Sequence, residues 1–354
     1  MTQNSIPFVR EVINSIHSEN SVIFTSDNQE IIRFDRNENS FDEVFTYNRY
    51  PEKFQQKFRS TFCTYFNVLP NQMVLNRSVS EHLLRIFLMT CVAGKDNIVF
   101  AGCMPDEYLT IAQLANIDYI HTIESPFSEV HSSSLTSKDS MNPPKVIVLS
   151  SPNHFTGQAL RTDQIKEICT LNNNSLVVVD ESYFEYTDAI SAILLLEEVE
   201  NLVVLRSFSH FWGMAGVGIS IAIAKEEFAS LLQNVTPPYV VDTQCLSYIQ
   251  YIAETFRKSR TVFHTKTAII TERERLETFL QSSPLVKKIF PSEANFLLVS
   301  FTKDSYELYQ QLLEKNIVVH YCNQKEFIEQ NCLRISIGTP VDNTVLIDVL
   351  QSLA

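Results

Sequence analysis

The sequence predicts an α/β protein in which a large domain with a doubly wound, mostly parallel sheet is followed by a small α+β domain. Three observations lead to this fold class. Short runs rich in Val, Ile and Leu alternate with amphipathic segments through the middle of the chain. After about residue 241 the pattern changes to a long helical stretch and then to a mixed unit. The chain has 354 residues, which is enough for one large domain or two of ordinary size.

The large domain is predicted over residues 41–245. Apolar runs of a few residues, bounded by polar or turn residues, are typical of strands that are buried on both faces of a parallel sheet. The segments between them have the periodicity of amphipathic helices, which favours strand–helix–strand units. The predicted strands are "NIVFAG", "KVIVLSSP", "SLVVVDES" and "NLVVLRSFS", and two of the predicted helices are "DEYLTIAQLAN" and "LRTDQIKEICTLN".

The small domain is predicted over residues 246–354, and residues 1–40 are expected to form an N-terminal arm that joins it. A long helical pattern covers about 241–282, and shorter helical and strand patterns follow it. The polar stretch 127–143 is expected to be an exposed loop. The segments assigned to the mixed unit are "ANFLLVSF", "SYELYQQLLEKNIVVHY" and "CLRISIGTP".

Composition narrows the class of partner and the compartment. The net charge is −13 and no run of Lys and Arg forms a basic patch, so a nucleic-acid partner is not expected. The seven cysteines are scattered without a CxxC pair, which favours reduced thiols in a cytoplasmic protein over disulfides or a metal site. The N-terminus lacks the pattern of a signal peptide, and no apolar run approaches the roughly 20 residues that span a membrane.

Seven segments resemble the signatures of fold-type I pyridoxal-phosphate enzymes of aminotransferase class I/II, in particular histidinol-phosphate aminotransferases. They occur in the family's order and spacing over essentially the whole chain, so the resemblance implies the family's fold. The segments are "DRNENS" (35–40), "YNRYPE" (47–52), "SPNHFTG" (151–157), "VVVDESYFEY" (177–186), "SFSHFWGMAG" (207–216), "ANFLLV" and "LRISIGTP".

The resemblance assigns roles to residues that match the family's motifs. Asp180 matches the carboxylate that pairs with the pyridinium nitrogen, and Tyr183 matches the phenol that binds the ring hydroxyl. Arg334 matches the arginine that holds the substrate α-carboxylate through a planar, bidentate contact. The remaining implied positions are Ser80, Ser207 and Ser209 at the cofactor phosphate, Asn37 at the substrate, and Tyr50, which reaches the phosphate of the neighbouring subunit in a homodimer.

Other positions depart from the family pattern. His210 stands where the family has the lysine that forms the Schiff base, and an imidazole cannot form that imine. Gly218 stands at the position of the phosphate-binding arginine, and His154 at that of an asparagine. Pro105 falls where the aromatic residue that stacks on the ring is expected. These changes predict that no cofactor is bound covalently.

The family's phosphate-binding turn is also altered, and it has become "NRSVSE" (76–81). Ser78 and Glu81 have the spacing of a helix capping box. A helix that begins there would still present free N–H groups to an anion. Arg77 could supply positive charge nearby.

The sequence leaves three functions open. The first is a repurposed enzyme in which His154, Tyr183 and His210 carry out acid–base chemistry on an amino-acid-like substrate anchored by Arg334. The second is an enzyme that binds pyridoxal phosphate or pyridoxamine phosphate non-covalently and uses His210 as its base. The third is a non-catalytic protein that binds a ligand or stabilises a partner. No metal is expected in any of them.

Overall fold

The computed structural model describes residues 6, 8–16, 37–39, 47–122, 143–259, 261–322 and 331–354, and the side chains of 256–259 and 261–263 are not described. A seven-stranded sheet forms the large domain, in the order β1-β7-β6-β5-β4-β2-β3. Strands β2 to β6 pair in parallel, while β7 runs antiparallel to both β1 and β6. The predicted mostly parallel sheet is therefore confirmed. The strands are β1 (Met73–Asn76), β2 (Asn97–Ala101), β3 (Asp118–Thr122), β4 (Val146–Ser150), β5 (Leu176–Asp180), β6 (Leu202–Ser207) and β7 (Ser220–Ala224).

Helices cover the sheet on both faces, as a doubly wound fold requires. Successive side chains of a strand point to opposite faces, so neighbouring Val178 and Val179 belong to different apolar cores. One core contains Phe58 and Phe62 from α1, and the other contains Phe87 from α2. The helices are α1 (Glu52–Phe66), α2 (Val79–Thr90), α3 (Asp106–Leu114), α4 (Thr162–Leu171), α5 (Glu226–Asn234), α6 (Thr243–Ser259) and α7 (Thr261–Ser282).

A four-stranded antiparallel sheet, in the order β10-β11-β9-β8, forms the small domain. One end of α7 packs against this sheet, where Leu276 and Leu280 join a core with Leu297 and Leu333. The elements are β8 (Val286–Phe290), β9 (Phe296–Phe301), α8 (Ser305–Glu314), β10 (His320–Tyr321), β11 (Cys332–Ser336) and α9 (Pro340–Ser352). The predicted α+β small domain is confirmed as an architecture.

The exact domain limits stay predictions. Leu246 and Ile249 of α6 belong to the core of the large domain. In the N-terminal segment, Phe8, Val9 and Ile13 pack with residues of α2. Residues 1–5, 7, 17–36 and 40–46, like most of the predicted loop 127–143, lie outside the described residues. Within the described part of the chain, no helix combines the length and the apolar character needed to cross a membrane.

The two domains meet at the carboxyl ends of the central parallel strands. Asp180 ends β5 and Ser207 ends β6, so both lie at the edge of the sheet where α/β proteins bind ligands. The turn that contains Gly157 follows β4 and packs directly on the small domain. Gly157 has a φ of +74°, and a Cβ at this position would overlap the side chain of Ser292. The domains can approach this closely only because residue 157 is glycine.

Candidate active site

A cavity of about 460 Å³ lies where the two domains meet. Residues from strand ends and turns of the large domain converge on it with residues of β10 and β11 of the small domain. The cavity also contains side chains that the motifs did not identify, notably Tyr108 and His320. Its lining includes Ser78, Ser80, Pro105, Tyr108, His154, Ser182, Tyr183, Ser207, Ser209, His210, Gly218, His320 and Arg334.

Asp180 lies just beneath the cavity wall and has no exposed surface. Its Oδ1 accepts hydrogen bonds from the backbone N–H (2.9 Å) and the hydroxyl (2.5 Å) of Ser182. Its Oδ2 accepts hydrogen bonds from His154 Nε2 (2.6 Å) and from the hydroxyl of Tyr108 (2.5 Å). Burial acts to raise the pKa of Asp180, but His154, Ser182 and Tyr108 outweigh it and the net pKa is lowered. Asp180 is therefore an ionised carboxylate, and each of its oxygens accepts two hydrogen bonds.

His154 and Tyr108 lie between Asp180 and the cavity. Because Asp180 is ionised and can only accept, the Nε2 atom of His154 must carry a proton. The ring of His154 meets the rings of Tyr108 and Tyr183 edge to face, at centroid distances of 5.7 and 5.2 Å. Burial, followed by the charge of Asp180, raises the pKa of Tyr108 well above its ordinary value. Tyr108 thus remains a phenol that donates to Asp180.

Tyr108 was missed by the sequence reasoning, which expected the aromatic residue of the site at Pro105. Both residues line the cavity, but Pro105 only precedes α3, whereas Tyr108 lies within its first turn. The sequence did contain a signal for this residue, because Tyr108 is an aromatic side chain only three positions after Pro105.

His210 stacks on Tyr183 at the cavity wall, with part of its ring exposed. Burial of the imidazole lowers its pKa to about 4, and the electrostatic contributions of His154 and Arg334 act in the same direction. Asp180 opposes this shift without cancelling it. Burial raises the pKa of Tyr183 to about 12. At neutral pH, His210 is therefore an uncharged imidazole and Tyr183 is a phenol.

Arg334 reaches the cavity from β11 of the small domain. Its Nη1 donates to the backbone carbonyl of His154 (2.5 Å), and its guanidinium carbon lies 5.3 Å from the ring centroids of both Phe155 and Phe296. Among the described residues, no carboxylate forms an ion pair with Arg334. His320, its register partner on β10, lines the same cavity. The guanidinium is thus oriented by the protein and retains donors for an anion.

The N-terminus of α2 forms another wall of the cavity. Ser78 is the N-cap, and its hydroxyl accepts from the backbone N–H of Glu81 at 3.1 Å. This is one half of the predicted capping box, because the Glu81 carboxylate lies 3.3 Å from Nη1 of Arg85 instead. Arg77 contributes less charge than expected, because its guanidinium donates to Val240 O and to Asp242 Oδ2, both at 2.8 Å. Ser80, Ser207, Ser209 and Gly218 line this end of the cavity.

Asn37 and Tyr50 do not join these residues. They line a separate cavity of about 630 Å³, together with Tyr47 and Tyr239. The ring of Tyr50 stacks on that of Tyr239 with 4.4 Å between centroids, and 49% of Tyr50 is exposed. Within one chain, therefore, the structure separates the predicted site residues into two groups.

Residues 23–350 match the family model described as aminotransferase class I and II. The chain belongs to this family. It is 33% identical over 325 residues to a histidinol-phosphate aminotransferase of Flavobacterium psychrophilum, covering 91% of this chain and 90% of the relative. A histidinol-phosphate aminotransferase of Flavobacterium johnsoniae is 32% identical over 333 residues, covering 92% of this chain and 91% of the relative.

Solved structures of histidinol-phosphate aminotransferases have the same fold as this chain. The histidinol-phosphate aminotransferase of Clostridium acetobutylicum superposes with a TM-score of 0.76 at 18% identity, covering 87% of this chain and 91% of that chain. The enzyme from Sinorhizobium meliloti, solved in complex with pyridoxal-5'-phosphate, superposes with a TM-score of 0.75 at 16% identity, covering 87% and 84%. These superpositions confirm the predicted fold.

The residues of this cavity do not fit a pyridoxal phosphate held through an imine. An imine needs a primary amine, and none of the described residues that line the cavity is a lysine. The carboxylate expected to meet the ring nitrogen already accepts four hydrogen bonds. In the described residues, no cluster of three His, Cys, Asp or Glu side chains could hold a metal ion. What the cavity offers instead is an oriented guanidinium, a neutral imidazole and a phenol.

Proposed function

We propose that this class I and II aminotransferase homologue binds a small, amino-acid-like α-carboxylate ligand. It moves a proton to or from that ligand without forming a cofactor aldimine. The observation that carries the proposal is Arg334, whose guanidinium faces the same cavity as His210 and has no carboxylate partner among the described residues. A partly buried, unpaired arginine is costly unless an anion completes it. A ligand carboxylate satisfies that requirement and places the rest of the ligand near His210.

His210 is the proton-transfer group of the proposed reaction. It is neutral at pH 7, and stacking on Tyr183 fixes the orientation of its ring. A carboxylate bound to Arg334 would cancel one of the charges that lower the pKa of His210. Ligand binding should therefore raise that pKa towards neutrality, where a general base is most effective. Tyr183 stays protonated and can donate to the ligand, while His154 supports the site through Arg334.

The proposal is tested with a pool of amino acids and hydroxy acids. Binding is measured by thermal shift and calorimetry, with the corresponding decarboxylated amines as controls. Deuterium incorporation from heavy water is then followed by NMR for every ligand that binds. The expected result is carboxylate-dependent binding that Arg334→Gln weakens roughly 10- to 100-fold, and exchange that His210→Ala abolishes. Equal binding of the amines and the acids would overturn the role of Arg334.

A ligand-binding protein without turnover is the second candidate. The observation that favours it is the pKa of His210, which at about 4 makes the free imidazole a weak base. The same experiment separates the two candidates. A pure binding protein would retain carboxylate-dependent affinity, show no deuterium incorporation, and bind equally well after His210→Ala.

We also propose that the protein is a homodimer. The family resemblance assigns Tyr50 to the active site of a neighbouring subunit, and the structure supports this with a half-exposed Tyr50 in a cavity apart from that of Arg334. A cavity remote from its own active site is where a residue serving a second copy would lie. Sedimentation velocity at micromolar concentration tests the assembly, and a monomer throughout would contradict it.

A further inference from the structure

The four hydrogen bonds to Asp180 use its whole capacity as an acceptor. An ionised carboxylate has about four lone-pair positions, two on each oxygen. Ser182 fills both positions on Oδ1, while His154 and Tyr108 fill both on Oδ2. No position remains for an additional donor from the cavity.

The same three residues also separate Asp180 from the cavity. Tyr108, His154 and Ser182 line it, whereas Asp180 has no exposed surface. A ring N–H that sought Asp180 would have to displace one of these donors and occupy its space. It would gain one charge-assisted hydrogen bond and remove another, so the exchange yields little net free energy.

We propose that Tyr108 and His154 form a lock on Asp180 that keeps pyridine cofactors from binding tightly in this cavity and so favours other ligands. The two side chains are specificity-determining residues, because they remove the acceptor that a protonated pyridine ring requires. The lock does not depend on which ligand the cavity binds. It can therefore be confirmed or refuted separately from the proposed α-carboxylate function.

The lock persists because both donors face an oxygen that can only accept. The hydrogen bond from His154 to the ionised Asp180 requires the form of the imidazole that carries a proton on Nε2. Tyr108 keeps its phenol proton because burial and the charge of Asp180 oppose its ionisation. His154 is also held from its backbone side, since its carbonyl accepts from Arg334 Nη1. Moving the backbone of His154 would therefore disturb the guanidinium of Arg334.

The test compares pyridoxamine phosphate binding to the wild type, Tyr108→Phe, His154→Asn and the double variant, by equilibrium dialysis and absorbance. Each substitution frees one acceptor position on Oδ2. The expected result is weak binding to the wild type and affinity that rises by about tenfold or more in the double variant. Tyr119→Phe is the matched control, because it also deletes a phenol hydroxyl, whose partner Gln113 is remote from Asp180.

The gain must depend on Asp180. Adding Asp180→Asn to the double variant should return pyridoxamine phosphate affinity to the wild-type level. A folded double variant with unchanged affinity would overturn the lock. So would a gain that Asp180→Asn leaves intact.

A second measurement needs no substitution. A deaza analogue of pyridoxamine phosphate, in which C–H replaces the ring nitrogen, cannot bond to Asp180 in any state. If the lock holds, the wild type binds pyridoxamine phosphate and the analogue equally weakly. A clear wild-type preference for pyridoxamine phosphate would show that the ring reaches Asp180, and the proposal would be wrong.

Discussion

The imidazole of His210 lies on the phenol ring of Tyr183, with 4.2 Å between ring centroids and 19° between ring planes. This stacking fixes the imidazole at the cavity wall and keeps it among protein atoms, although one side remains exposed. Its low pKa follows from that position. The chemistry of the site therefore depends on what happens to His210 when a ligand enters.

The first prediction concerns the titration of His210. In the free protein its pKa should be about 4, so that His210 is uncharged at neutral pH, because burial and the electrostatic contributions of His154 and Arg334 oppose its protonation. Saturation with an α-carboxylate ligand should raise this pKa, because the bound anion offsets Arg334. Nitrogen-detected NMR of histidine-labelled protein, assigned with His210→Ala, measures both values. A pKa that does not move on binding would place the carboxylate elsewhere.

Substitution of Arg334 should weaken carboxylate binding in a graded way. Arg334→Gln removes the charge and should reduce affinity roughly 10- to 100-fold, as expected for the loss of a hydrogen bond between charged groups. Arg334→Lys keeps the charge but loses the planar fork, so its affinity should be intermediate. Arg275→Gln is the control, since this small-domain arginine pairs with Glu272 outside the cavity. Calorimetry gives the three affinities.

Introducing a lysine at position 210 should not produce a transaminase. His210→Lys supplies an amine, but Asp180 remains saturated and Gly218 adds no positive charge to the phosphate end. We expect no stable aldimine absorbance with micromolar pyridoxal phosphate. The spectrum is compared with that of the same lysine variant carrying Tyr108→Phe and His154→Asn. An aldimine in the single variant would mean that the cavity is closer to an ordinary family site than the hydrogen bonds indicate.

Arg206 should be critical for stability. Its guanidinium forms ion pairs with Glu181 (2.8 Å) and Glu185 (3.0 Å), and all three side chains are almost completely buried. Arg206→Met leaves two buried carboxylates without a cation and should reduce the free energy of unfolding by about 3–5 kcal/mol. Arg161→Met removes an exposed pair with Asp163 and should cost at most about 1 kcal/mol. Urea denaturation measures both.

His82 should make the protein sensitive to acid. Burial lowers its pKa from 6.5 to about 3, and its ring nitrogens form no well-aligned hydrogen bond, although the nearby Ser220 backbone opposes part of the shift. In the unfolded chain His82 binds a proton below about pH 6.5, whereas in the folded chain it does so only below about pH 3. The free energy of unfolding should therefore fall as pH drops through this window.

The size of the effect follows from the shift. At pH 4.5 it should amount to about 2 to 3 kcal/mol, since each pKa unit corresponds to about 1.4 kcal/mol. His82→Leu should abolish this part of the acid sensitivity, as seen by comparing urea denaturation at pH 7 and pH 4.5. An unchanged pH dependence would assign the sensitivity to other groups.

The fold could be predicted from the sequence because its determinants are local and repetitive. The runs at 146–150 and 176–180 are buried at every position and apolar at all but the last, which is typical of strands in a sheet that is covered on both faces. Asp180 and Ser207 end strands, and parallel strands bring their carboxyl ends to one edge of the sheet, while the roles of the two residues stay predictions. That His210 and Gly218 replace the family's lysine and arginine remains a prediction.

The contacts within the site could not be predicted in the same way. That His154 and Tyr108 share one oxygen of Asp180 depends on ångström-scale positions that spacing along the chain does not specify. Arg77 pairs with Asp242, which lies 165 residues away in the sequence. This ion pair offsets the positive charge that Arg77 was expected to supply near the cavity. The approach of His320 to Arg334 depends on strand register in the small domain, which the motifs did not address.

Gly157 sets the width of the gap between the two domains, since a side chain there would overlap Ser292. Arg334 crosses that gap to the backbone of His154, so the reach of the guanidinium is fixed by the smallest residue in the turn. A Gly157→Ala variant would hold the small domain farther from the large domain and move Arg334 away from His154. Short carboxylates would then lose contact with Arg334 first, whereas ligands that are longer by a methylene group could still reach it.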